Sequence, residues 1–126
     1  MQLWSDQDRS QPRLLSTRQI FQLHDLPSLV TLSACHAWDQ DAHKEQDIGN
    51  AWLSMANAFS VAGAQTVVAS QGRVSDLAAA VLMKRFYRNL GTLPRAEALR
   101  EAALVVRRYY RHPSHWASFA LMGDPR

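Results

Sequence analysis

The chain contains one cysteine, set immediately before a histidine in the stretch Leu32-Ser33-Ala34-Cys35-His36-Ala37-Trp38. A thiol attacks only as its thiolate, and with an ordinary pKa of about 8.5 it needs a neighbouring base or cation to ionise at neutral pH. A cysteine at the tip of a strand with an imidazole in reach can therefore perform acyl transfer. The bland counterpart is a small, inert core residue. His36 is poorly placed to take the Cys35 proton, because adjacent residues of an extended segment point to opposite sides. Of the other histidines, His24 lies near the far end of the same strand, and His43 sits in an acidic stretch that could fold back. His112 and His115 precede the last predicted strand, where a packing or turn role is the better reading.

The acidic stretch holds Asp39, Asp41, His43, Glu45 and Asp47. It lacks the glycine turn and bidentate terminal glutamate of a calcium loop, and one cysteine cannot build a cysteine-rich zinc site or an internal disulfide. No metal or other cofactor is expected. The stretch reads as a solvated loop or, at Asp47, as a place to recognise a basic substrate side chain. The formal charge of +3 is concentrated between Lys84 and Arg111. That basic segment reads as the solvated face of two helices rather than as a nucleic-acid site.

The elements that must position Cys35 follow from periodicity. Residues 1–13 are polar and broken by Pro12, so apart from a short strand at Gln2 to Trp4 they read as an arm. Leu15, Ile20 and Leu23 predict a short helix behind a Ser16 or Thr17 cap, closed by Pro27. "SLVTLSA" and "QTVVAS" read as strands covered on both faces. Between them Trp52, Met55, Ala56, Phe59 and Ala62 form a helical stripe, capped by Asn50 and stopped by Gly63. A third helix is expected to bury Leu77, Ala80, Val81, Lys84 and Tyr87. A fourth, beginning at Pro94, is expected to bury Ala98, Leu99, Ala102, Val105, Val106 and Tyr109. "WASFALMG" reads as a last strand, with Trp52 and Trp116 in the core. This order predicts an α/β fold, a mostly parallel sheet flanked by helices in three αβα layers, in which reactive groups gather beyond the carboxyl ends of the strands. No run is long and apolar enough to span a bilayer, and the amino terminus lacks a signal-peptide core, so a cytoplasmic protein is expected.

"LPSLVTLSAC", "GNAWLSMANAFSVAGAQTVVAS", "VSDLAAAVLMKRFYRNL", "RAEALREA" and "HPSHWASFALMGD" together resemble, in order, the carboxyl-terminal part of CHAT domains. The resemblance runs from about Leu15 to Asp124, giving a polar arm or short strand at 1–14 and a partial CHAT domain at 15–126. CHAT domains are caspase-like, similar to the clan CD cysteine peptidases, and often accompany TPR repeats. The resemblance implies a partial caspase-like fold with Cys35 as the catalytic nucleophile, and a peptide or protein as substrate. Ser33, Trp38 and Asp47 are the candidates for lining the substrate pocket.

The family's histidine stands on the strand before "LLSTRQI". Caspases place it roughly 50 residues upstream of the cysteine, and 34 residues precede Cys35 here. The histidine is thus expected to come from a partner or an upstream segment, and the isolated chain to be an inactive hydrolase. This chain also has Gly49-Asn50 where an acid tends to follow the glycine, and Gln71-Gly72 where a tryptophan is common. The alternative expectation is a non-catalytic interaction module that binds a protein partner, a TPR-containing protein or a second copy of itself through an exposed sheet edge.

Overall fold

The computed structural model describes residues 2–5, 8–33, 45–72 and 74–126, with side chains described at 15–33, 53–72 and 74–126. The first two strands, β1 (Gln2–Ser5) and β2 (Asp8–Leu14), form an antiparallel ladder that pairs Leu3 with Arg13 and Ser5 with Asp8. The second strand runs where the sequence suggests an arm. Pro12 is tolerated there because each strand of a two-stranded ladder has an outer edge, where a missing N–H breaks no pairing.

Ser16 starts α1 (Thr17–Ile20) with a capping box: its hydroxyl accepts from the Gln19 N–H, while the Gln19 side-chain oxygen accepts from the Ser16 N–H at 2.9 Å. The helix makes one turn and buries Ile20 completely. Next come β3 (Leu29–Leu32), α2 (Glu45–Val61) and β4 (Thr66–Ser70). Because α2 begins at Glu45, Asn50 lies inside the helix rather than capping it, and the acidic stretch contributes Glu45 and Asp47 to the first turn. Carboxylates suit that position, where unpaired N–H groups carry partial positive charge. At the other end Gly63, at φ +114°, closes the helix with Gly63 N–H to Ser60 O and Ala64 N–H to Phe59 O, a Schellman pair.

Two helices then follow without an intervening strand, α3 (Asp76–Asn89) and α4 (Arg95–Tyr109), and a 3-10 turn (Pro113–His115) leads into β5 (Phe119–Gly123). The sheet order is β3-β4-β5, with β3 parallel and β5 antiparallel to the central β4. It is therefore a small mixed sheet, not a mostly parallel one. A second helix returns the chain to the end of the sheet from which the first departed, so β5 must run back. Trp116 falls in the turn, and the strand begins only at Phe119.

Every residue of β4 is buried. Val67 and Ala69 pack with Ile20, Leu32, Met55 and Phe59 beneath α1 and α2, whereas Val68 packs with Leu82, Phe86, Leu99 and Val106 beneath α3 and α4. Helices thus cover both faces of the central strand. On β3, by contrast, Leu29, Val30 and Thr31 stay partly exposed, because among the described residues this strand pairs on one side only. Both faces of β3 are nonetheless packed, Leu29 against the α3–α4 core and Val30 and Leu32 against the α1–α2 core, as the sequence suggests.

On α3 the buried residues are Ala78, Ala79, Leu82 and Phe86, not the predicted stripe. Leu77 is 64% and Tyr87 52% exposed. Both sets have helical spacing, but the predicted one included a lysine and a phenol, which prefer water, whereas the real one ends on Phe86. The prediction holds on α4 at Ala98, Leu99, Ala102 and Val106, and fails at Tyr109, in the last turn beyond the core. Among the described residues no helix is long and apolar enough to cross a membrane.

Candidate active site

Topology fixes which functional groups share an end of the sheet. Residue Leu32 of β3 is level with Ala69 of β4, which is level with Ala120 of β5. The carboxyl ends of β3 and β4 and the start of β5 therefore lie side by side, joined by the Gln71 N–H donating to Ser118 O at 2.6 Å. Ser33, the first residue beyond β3, is exposed at this end. Cys35 follows it two residues on, but Cys35 and Trp38 lie outside the described residues, as do His36 and His43. Asp47 is in the first turn of α2, with its side chain outside the described set, as is that of Trp52. Of the predicted site residues, only Ser33 is thus placed with its side chain.

The described histidines are held away from the end of β3. His24 is exposed and precedes the strand, at its amino-terminal side. His112 caps the 3-10 turn, its Nδ1 accepting from the Ser114 N–H at 3.3 Å and lying 2.8 Å from the Ser114 hydroxyl. His115 packs its ring against Tyr110 at 5.2 Å. These are the turn and packing roles that the sequence suggests. Both precede β5, which is separated from β3 by the central strand, a distance of about 9–10 Å at ordinary strand spacing.

The opposite end of the sheet is tied shut. Arg95, at the start of α4, donates to the Thr66 hydroxyl at 2.8 Å and to the Ser28 hydroxyl at 3.1 Å, and Thr66 in turn donates to Asp124 O at 2.7 Å. The buried Thr66 is thereby satisfied, and β3, β4, β5 and α4 are locked together. Arg126 beside Asp124 holds that carboxyl below its usual range through a side-chain hydrogen bond. Two further side-chain contacts escape sequence reasoning. The Arg107 guanidinium lies over the Trp116 ring, 5.2 Å from its centroid, and the Tyr87 hydroxyl meets Thr31 Oγ1 at 2.7 Å. Only the run of aromatic and basic residues at 107–111 hinted at the first.

The small mixed sheet with helices on both faces of its central strand defines the general class, an α/β protein. The chain matches the family described as CHAT domain over residues 1–124, and it belongs to that family. The match takes in the β1–β2 ladder as well as the elements from Leu15 onward. The chain is similar to human tetratricopeptide repeat protein 28, at 37% identity over 75 residues. That stretch is 57% of this chain and 3% of the human protein, so the chain spans a small fraction of its relative's length. No solved structure matches the chain at a significant level.

Proposed function

We infer that the chain forms the cysteine half of a caspase-like peptidase centre, with Cys35 as nucleophile and Ser33, Trp38 and Asp47 bordering the substrate pocket. The observation that supports this most is the parallel β3–β4 pair, whose first strand runs out at exposed Ser33, two residues before Cys35, with its far edge unpaired among the described residues. A strand bearing a histidine, added along that edge, would bring an imidazole to the same end of the sheet. The reaction is then thiolate attack on a peptide carbonyl, transfer of the proton through the histidine to the leaving amine, and hydrolysis of the thioester by water. On this reading, the thiol is not activated until that strand is present.

The pH dependence of Cys35 alkylation by iodoacetamide tests this on the folded and the urea-unfolded chain. The expected result is similar rates in both states and an apparent pKa near the unfolded value of about 8.5. Protection of about a hundredfold in the folded chain would make Cys35 a buried core residue and end the nucleophile reading. A folded-state pKa well below 8.5 would show a base already in reach, and the chain would be an enzyme without completion.

The same edge supports a second reading, a protein-interaction module. Leu77 and Tyr87 are exposed on α3, and the Tyr87 hydroxyl reaches Thr31 of the edge strand. An added strand from a second copy, or from a TPR-containing partner of the kind the human relative's name describes, would cover this border. Sedimentation at rising concentration separates the cases: self-pairing requires a concentration-dependent dimer, and a monomer throughout leaves the edge to a different partner.

A further inference from the structure

We propose that the arginines at the carboxyl end of α4 form a docking surface for an acidic peptide segment. Residues 107–111 read Arg-Arg-Tyr-Tyr-Arg, with no acid among them. Arg107, Arg108 and Arg111 are exposed, and among the described residues none is paired with a carboxylate; the ion pairs there are Arg100–Glu101 and Arg126–Asp124. Asp76, which opens α3 at the same end of the sheet, pairs with none of the three. The partial negative charge at a helix terminus accounts for cations in its last turn, but Arg111 lies beyond the helix.

The local chemistry suits carboxylates. Stacking on Trp116 restrains the Arg107 guanidinium, while its N–H groups donate no hydrogen bond among the described residues. A guanidinium held in place loses less freedom when it takes up a carboxylate with two parallel hydrogen bonds. Tyr109, 76% exposed between Arg108 and Arg111, adds a flat apolar contact for a peptide stem. Arg107 and Arg108 stand in the last turn of α4, and Arg111 follows on the chain that leaves it through the extended Tyr110. The occupant that fits this concentration of unpaired guanidinium groups is a short segment rich in acids. If Cys35 is the nucleophile inferred above, this surface would draw substrates with acidic residues on the α4 side of the scissile bond. The docking itself does not need that reading.

Fluorescence anisotropy on the whole chain tests the proposal, using a fluorescein-labelled Asp-Glu peptide, its Asn-Gln counterpart and an oligothymidylate of equal charge. The acidic peptide is expected to bind in preference to both. The double variant Arg108→Gln/Arg111→Gln, which removes no side-chain hydrogen bond or ion pair among the described residues, is expected to weaken it by about tenfold, since it takes away two of the guanidinium partners of the peptide's carboxylates. The control Lys84→Gln/Arg88→Gln removes the same charge from α3 and is expected to change binding less than about twofold. Equal losses in the two variants would reduce the effect to net charge and overturn the proposal. So would equal binding of the Asn-Gln peptide, or tighter binding of the oligothymidylate. The readout involves no catalysis, so an inert Cys35 would leave the outcome unaffected.

Discussion

Phe86→Ala is expected to destabilise the chain by about 3–5 kcal/mol and Leu82→Ala by about 2–5 kcal/mol, while Leu77→Ala leaves stability within about 0.5 kcal/mol. All three positions lie on α3, and the two leucines differ only in the face they occupy. Phe86 and Leu82 are completely buried among Val68 of β4 and Leu99 and Val106 of α4, so truncation removes both their transfer free energy and their packing partners. Leu77 is largely in water already. Urea unfolding midpoints at constant slope are the measurement. Similar losses for the two leucine variants would mean that α3 turns its other face to the sheet.

Gly123→Ala is the second large effect, about 2–4 kcal/mol. Gly123 has φ +105°, and a Cβ built there would stand 2.1 Å from the carbonyl oxygen of Gln65. The obstacle is backbone, so relief requires moving β5 away from β4 and stretching the Asp124 N–H to Gln65 O bond of 2.9 Å. Two other glycines divide this cost into its parts. Gly63 has φ +114° with open space around it, so Gly63→Ala tests backbone conformation alone, at about 1 kcal/mol. Gly72 has neither constraint, and Gly72→Ala is expected to be neutral or slightly stabilising. Thermal unfolding of the three variants should rank them in that order. A Gly123→Ala variant as stable as Gly72→Ala would contradict the close approach of β5 to the Gln65 carbonyl.

Local signals were legible in the sequence where a single residue decides the geometry. Ser16 caps α1, Gly63 ends α2, and the β-branched segment Thr66–Ser70 forms a strand buried along its whole length. Signals that depend on neighbours were not. The run from Leu77 to Met83 is apolar without a break, so spacing alone cannot say which face of α3 meets the sheet. The exposure of β3 depends on what pairs with its outer edge, which no local pattern encodes. The direction of β5 follows from two consecutive helices, a matter of connectivity rather than composition. For the site, the resemblance assigns a role to Cys35 and the topology gives the end of the sheet that it follows. The arginine-tryptophan contact needed the turn before β5 to be folded.

The central strand also constrains the order in which the chain can fold. β4 takes partners from Leu29–Leu32 on one side and from Phe119–Gly123 on the other, the latter about fifty residues away in sequence. Closing so long a loop is slow, whereas α3 and α4 are neighbours that can meet early. During that interval Thr66–Ser70, a β-branched and uncharged segment, stands with at least one ladder edge open. Such a segment is a template for pairing between chains. Refolding yield should consequently fall with protein concentration, and the insoluble fraction should be joined through the strand that in the native fold is the least accessible of all.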